Sequence, residues 1–147
     1  MEIAWSETRI TTDLDFSGRG KQIGDLRLRY SDNRHPLGYI PVPAGIVAGT
    51  PGPTVLLTGG VHGDEFEGPV ALMKLLHGVD PEGLRGRLII LPALNAPAVR
   101  QASRTSPLDG VNMNRAFPGD PDGGPTAMLA HFVEQILLPG CDAAIDL

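Results

Sequence analysis

The sequence of 147 residues lacks the features that mark several classes of protein. It has a single cysteine, Cys141, so no internal disulfide can form; because Cys141 lies in an apolar stretch, we expect a small buried side chain and not a nucleophile. Lys and Arg do not cluster and the formal net charge is -5, which argues against a nucleic-acid partner, since phosphate binding needs concentrated positive charge. No secretory signal and no apolar run of membrane-spanning length is visible, so we expect a cytoplasmic protein with no membrane partner.

Glycine and proline, by contrast, are abundant, with 19 and 14 residues, and this predicts many loops and turns. Alternation of apolar and polar residues predicts a half-buried strand from Asp25 to Tyr30. The apolar stretch from Tyr39 to Val47 contains Pro41 and Pro43, which favours an edge strand or an extended loop. The first 50 residues could therefore form a small β extension.

From residue 54 onward the pattern is typical of an α/β protein. Continuous apolar runs predict buried strands at 54–58, 87–91 and 141–147. Helices are predicted at 69–76, which is apolar almost all round and expected to be well buried, at 95–101, and at 125–138, which carries an apolar stripe. The predicted fold is α/β, with a mixed, largely parallel sheet and helices on both faces.

A histidine and a glutamate follow the first of these buried strands. Gly59 and Gly60 close the strand, and His62 and Glu65 come next, three residues apart. Catalytic zinc takes three protein ligands of nitrogen and oxygen type, and two His with one Glu is one such set. The pair could supply two of these ligands, or His62 could be a surface residue beside a carboxylate that starts a helix.

A second group of polar residues lies in the long loop from Ser103 to Gly124. Asn112-Met113-Asn114-Arg115 follows Arg104, and an arginine fork matches a carboxylate in bidentate fashion. We expect this segment to hold the carboxylate of an amino-acid-like substrate. Alternatively, the asparagines stabilise turns while Arg115 pairs with Asp109 or Asp120 at the surface.

Taken together, the two motifs resemble the succinylglutamate desuccinylase/aspartoacylase family of zinc carboxypeptidase-like hydrolases. The resemblance is carried by Thr58 through Pro69, by Asn112 through Gly119, and by Ile145-Asp146-Leu147, which is similar to the strand before the family's third zinc ligand. Within the family, the stretch from Gly86 through Arg115 is most similar to the N-acetyl-diaminobutyrate deacetylases of ectoine breakdown.

The resemblance implies a zinc carboxypeptidase-like fold and zinc-dependent hydrolysis of the amide bond of a small N-acyl amino acid. It implies that His62 and Glu65 bind Zn²⁺, and that Asn114 and Arg115 hold the substrate carboxylate. Arg104 would polarise the scissile carbonyl or bind an anion.

One departure from the family pattern concerns the end of the chain. The family's third ligand is a His directly after the Asp-Leu pair and its general base is a later Glu, whereas this sequence ends at Leu147. We therefore expect residues 1–147 to form the N-terminal part of a deacylase domain, incomplete at its C-terminal side, inactive alone and prone to self-association through an unpaired strand edge. The alternatives are a zinc carboxypeptidase acting on peptides, or a non-catalytic metal- or partner-binding fragment.

The remaining histidines are expected to be structural. His35 should be exposed in a turn, His77 should end a helix, and His131 should be solvated on the polar side of its helix. Asp146 could orient a ligand, or simply end its strand.

Overall fold

The computed structural model describes residues 1–33 and 38–147, and within these ranges five strands form one mixed sheet of order β1-β2-β4-β3-β5. The strands are β1 (Gly20–Arg29), β2 (Tyr39–Ala48), β3 (Thr50–Thr58), β4 (Arg85–Leu91) and β5 (Ala143–Asp146). β2 pairs antiparallel with both β1 and β4, and β3 pairs parallel with both β4 and β5. The mixed sheet is as predicted. Its antiparallel side is formed by β1 and β2.

Helices cover both faces of the sheet, as the alternation of elements predicts. They are α1 (Glu67–Gly78), α2 (Ala96–Gln101) and α3 (Pro125–His131), and α3 continues as a π-helix (Phe132–Leu137) and a 3-10 turn (Leu138–Gly140). Successive strand residues point to opposite faces. Leu56 of β3 accordingly packs in the larger core with α3 and the π-helix, whereas Leu57 packs in a smaller core with Leu72 and Leu76 of α1.

The prediction of an edge strand or loop at Tyr39–Val47 was wrong, because β2 lies between β1 and β4. β4 reaches only the second half of β2, from Gly45 to Ala48. Pro41 and Pro43 lie in the first half, which pairs with β1 alone. The prolines therefore lie in the half of β2 that has a strand on one side only. β2 is an interior strand only after the prolines.

Helix α1 is less buried than its apolar composition predicts. Leu72 and Leu76 are 1% exposed, but Val70 is 51% and Met73 39% exposed. One side of the helix packs on the small core and the other side faces solvent. A helix that is apolar all round carries no periodicity to tell these sides apart.

Strand β5 is also not buried, contrary to prediction. All four of its residues are exposed, including Ile145 at 51%. β5 pairs with β3 on one side only and forms the edge of the sheet within the described residues. Cys141, just before it, is half-buried and not fully enclosed. None of the helices in 1–33 and 38–147 combines the length and apolarity needed to cross a membrane.

Candidate metal and anion site

The candidate metal pair lies in the loop that follows β3, at the carboxyl end of the parallel strands. The backbone of Asn95, in the segment after β4, donates to the Gly60 carbonyl at 3.1 Å. The Gly63 amide donates to the Ser103 carbonyl at 3.0 Å. A Cβ on Gly63 would lie 2.0 Å from the backbone of Ala98, so only glycine permits this approach. The loop is thus fastened at both ends against α2.

His62 and Glu65 converge, as their spacing predicts. Nδ1 of His62 lies 3.4 Å from Oε2 of Glu65. The His62 side chain is 8% exposed and the Glu65 side chain 60% exposed, so a buried imidazole faces an accessible carboxylate. This separation suits two donors that each lie about 2 Å from a shared ion.

The other ring nitrogen of His62 contacts Asn112. Nε2 of His62 and Oδ1 of Asn112 are 3.0 Å apart. The same oxygen accepts a hydrogen bond from the backbone N–H of Asn114 at 3.0 Å. Asn112 therefore stabilises the turn, as one interpretation of the sequence has it, and also touches the metal pair. The Asn-x-Asn-Arg pattern indicated a turn; no feature of the sequence indicated the contact with His62.

Arg104 reaches the same place from the loop after α2. Its Nη1 lies 3.0 Å from Oε1 of Glu65 and 4.0 Å from Oδ1 of Asp64. The Arg104 guanidinium, with a smaller contribution from His62, holds the pKa of the Glu65 carboxyl below its ordinary value. Glu65 thus presents one oxygen to His62 and the other to Arg104, as a carboxylate.

Asn114 and Arg115 belong to a 3-10 turn (Met113–Arg115) that Met113 anchors in the larger core. Both polar residues are exposed. The surface pairing predicted for Arg115 with Asp109 or Asp120 does not form: Asp109 accepts from the backbone N–H and hydroxyl of Thr126, and Asp120 accepts from the backbone N–H of Asp122. Within the described residues no carboxylate lies at ion-pair distance from Arg115.

Asn114 lines a cleft of about 290 Å³ beyond the end of β3. The cleft is walled by the π-helix and β5, and its lining includes Thr58, Asn114, Phe117, Glu134, Ile145 and Asp146. His62 and Arg115 are not part of this lining.

The other polar residues singled out in the sequence have structural contacts. Oδ1 of Asp146 accepts a hydrogen bond from the Thr58 hydroxyl at 2.7 Å, which ties the end of β5 to β3. The prediction that His131 is solvated was wrong, because the residue is half-buried. Its Nδ1 is buried and has no hydrogen-bond partner in the described residues. His77 is exposed at the end of α1, and His35 lies outside the described residues.

His62 and Glu65 offer the types of donor atom that zinc binds, an imidazole nitrogen and a carboxylate oxygen. In residues 1–33 and 38–147, no group of three or more His, Cys, Asp and Glu side chains comes together to hold a metal ion. The described residues therefore offer two of the three donors that a catalytic zinc site needs.

The chain is similar in sequence and in fold to proteins of one family. The model of the succinylglutamate desuccinylase/aspartoacylase catalytic domain matches residues 51–147, which contain the metal pair and the Asn-Arg turn. Over 138 residues, 94% of its length, the chain is 45% identical to the N-alpha-acetyl-L-2,4-diaminobutyric acid deacetylase of Halomonas elongata. It spans 40% of that protein.

Two solved structures are similar to this chain in both sequence and fold. The succinylglutamate desuccinylase/aspartoacylase from Rhodobacter sphaeroides has a TM-score of 0.90 and 47% identity, over 95% of this chain and 43% of that one. The product-bound ectoine utilization protein EutE (DoeB) from Ruegeria pomeroyi has a TM-score of 0.90 and 44% identity, over 93% and 42% of the two chains. The resemblance and the fold predicted from the sequence are confirmed, and the chain belongs to the succinylglutamate desuccinylase/aspartoacylase family.

Proposed function

We propose that His62 and Glu65 are two of the protein ligands of a catalytic zinc ion, in a hydrolase that cleaves the amide bond of small N-acyl amino acids. The observation that carries the proposal is the 3.4 Å approach of His62 Nδ1 to Glu65 Oε2 at the carboxyl end of β3. Ligands of α/β sheets bind at such strand ends. The membership of the chain in a deacylase family supports the same reaction.

Zinc, when bound, supplies a Lewis acid that polarises a carbonyl and lowers the pKa of water. The residues of this chain prepare the site for it. Glu65 is ionised at neutral pH, as an exposed carboxyl is, and Arg104 lowers its pKa further, so a negative charge is available to a cation. The buried His62 ring is fixed by contacts at both nitrogens.

The substrate carboxylate is assigned to Asn114 and Arg115. Arg115 is exposed and has no carboxylate partner in the described residues, so its fork is free to bind one. Asn114 adds an amide donor beside it at the mouth of the cleft. To Arg104, whose Nη1 lies 3.0 Å from Oε1 of Glu65, we assign the acyl oxygen or another anion; the contact with Glu65 supports this by bringing Arg104 beside the metal pair.

The substrate class follows from the relatives. The Halomonas elongata protein is named for an N-acetylated diamino acid, and we propose N-acetyl-diaminobutyrate as the first substrate to test. N-acetylaspartate and succinylglutamate, which the family resemblance suggests, are the alternative substrates. A short peptide is included to test for carboxypeptidase activity. A cytoplasmic location also stays a prediction.

The experiment combines this chain with a relative of which it spans 40%. Residues 1–147 are joined to the remainder of the Halomonas elongata deacetylase, and acyl release from the four substrates is measured. We expect zinc-dependent turnover of an N-acyl amino acid, lost in His62→Ala and Glu65→Gln and retained in Arg9→Ala, which changes an exposed ion pair remote in sequence from the site. The 147-residue chain alone should show no turnover of any of the four substrates.

Two results would contradict the proposal. One is turnover that survives His62→Ala in a chimera whose circular dichroism matches that of the parent. The other is cleavage of the peptide with no cleavage of any N-acyl amino acid, which would support the carboxypeptidase alternative.

A further inference from the structure

We propose that the exposed side of α1 is a contact surface for a second copy of this chain. The two α1 helices pack antiparallel, with Glu67 of each copy against Lys74 of the other. Phe66, Val70 and Met73 form the apolar part of this surface, the α1 seam. Association at the α1 seam does not require the metal site proposed above.

The α1 seam consists of large apolar side chains that solvent reaches. Phe66 is 47%, Val70 51% and Met73 39% exposed. Their spacing of four and then three residues is that of the contact positions in a coiled coil, so all three lie along one narrow stripe of the helix. Contiguous apolar patches on a surface mark interaction sites, whereas apolar residues scattered singly do not.

The α1 seam is distinct from the two sides of α1 that the rest of the chain contacts. Leu72 and Leu76 face the small core and are 1% exposed. The backbone of Gly68 lies against the carbonyl of Leu147, just after β5. Val70 follows Gly68 by two residues, which is about half a turn of an α-helix. The seam therefore points away from β5, and an association through β5 would leave it uncovered.

Two opposite charges flank the α1 seam on the same side. Glu67 and Lys74 are exposed and seven residues apart, which is close to two full turns, so both project from one side of α1. About 10 Å of helix separates them, so they do not pair with each other. Among the residues that the structure describes, neither has an ion-pair partner. The surface therefore offers both a cation and an anion to a partner.

A second α1 helix in the opposite direction supplies the matching surface. A two-fold axis that crosses the helix beside Val70 brings Glu67 of each copy level with Lys74 of the other, at two symmetric places. The same operation lays Phe66 beside Met73 of the other copy, and a thioether against an aromatic ring is a favourable contact. A parallel pair would bring like charges to the same level. The surface is thus self-complementary in the antiparallel arrangement, as a two-fold dimer requires.

The test is sedimentation equilibrium at low salt. Because the α1 seam is only about two helical turns long, the contact belongs to the weak class of interfaces, and protein concentrations up to about 1 mM are used. The parents are the wild-type chain and Ile145→Lys, which blocks association through β5. Concentration-dependent dimers are expected in both.

Charge reversals then test the pairing itself. Glu67→Lys and Lys74→Glu should each weaken association about 10-fold, because like charges then meet at both symmetric places. The double variant Glu67→Lys/Lys74→Glu restores opposite charges and should recover the affinity of the parent. An equimolar mixture of the two single variants should recover it as well.

Two controls separate the α1 seam from other effects of charge and folding. The single reversals shift the net charge in opposite directions, so a general charge effect would strengthen one and weaken the other. Glu7→Lys makes the same charge change at an exposed residue of the N-terminal 3-10 turn, and should leave association unchanged. Val70→Glu should abolish association, and it decides the matter if Glu67→Lys does not fold, since a cation in the first turn opposes the helix dipole.

Three results would overturn the α1 contact. The first is an Ile145→Lys parent with no concentration-dependent association. The second is association that Val70→Glu leaves unchanged in a protein whose circular dichroism matches that of the parent. The third is a pair of single reversals that weaken association while the double variant recovers none of it.

Discussion

Replacing Gly63 by alanine should destabilise the fold at the candidate metal loop. The added Cβ would lie 2.0 Å from the carbonyl carbon of Ala98, against the 3.4 Å at which ordinary contact begins, so the two backbones would have to part by about 1.4 Å. Ala98 is fully buried in α2, which cannot yield as a flexible side chain would. Moving it would also strain the hydrogen bond from Gly63 to Ser103.

Overpacking of a core typically costs about 1–3 kcal/mol, and a clash with backbone belongs at the upper end. We expect Gly63→Ala to lower the free energy of unfolding by about 3 kcal/mol. Gly78→Ala is the matched control, because no atom lies within 4 Å of its Cβ position at the end of α1. That change should be neutral or stabilising by up to about 1 kcal/mol.

The assay is urea unfolding followed by circular dichroism and by the fluorescence of Trp5, the single tryptophan. Coincident transitions would justify a two-state free energy. A Gly63→Ala protein whose free energy of unfolding lies within about 0.5 kcal/mol of the wild type would refute the reasoning, since the loop and α2 would then separate without penalty.

Three further predictions concern charge, capping and the sheet edge. Arg104→Gln should raise the pKa of the Glu65 carboxyl toward its ordinary value, so that it protonates at a higher pH in a carbon-detected NMR titration; an unchanged pKa would mean that Arg104 does not hold it. Asp109→Ala should lower the free energy of unfolding by about 1–3 kcal/mol in urea, because Thr126 at the start of α3 loses its acceptor for both N–H and hydroxyl; a change below about 0.5 kcal/mol would contradict this. We propose that the chain associates with itself through β5, whose outer side pairs with no strand in residues 1–33 and 38–147; Ile145→Lys should then reduce concentration-dependent association in sedimentation experiments, and equal association of both proteins would contradict this.

The sequence was sufficient for those parts of the structure that depend on local pattern. The run Thr54–Thr58 and the glycines after it predicted β3 and the loop that aims His62 and Glu65 at one point. The spacing of apolar residues alone could not show which side of α1 packs against the protein core, because the exposed Val70 and Met73 are as apolar as the buried Leu72. Burial of a uniformly apolar helix is decided by the neighbouring elements, and these are not encoded in its own pattern.

Long-range contacts were the other limit. The sequence left Asn112 either in a segment that binds the substrate carboxylate or in a turn, whereas its bond to His62, which neither interpretation contains, joins residues 50 positions apart. The π-helix after His131 likewise has no signature in an apolar stripe that fits an α-helix equally well.

The central claim, that His62 and Glu65 bind zinc together, is tested most directly by titrating the 147-residue chain with Zn²⁺ while observing its imidazole and carboxylate NMR signals. We predict that zinc shifts the signals of His62 and Glu65, leaves those of His77 and His131 unchanged, and has no such effect on Glu65 in His62→Ala. Zinc-induced shifts at another histidine, or equal zinc binding by the wild type and His62→Ala, would contradict the account.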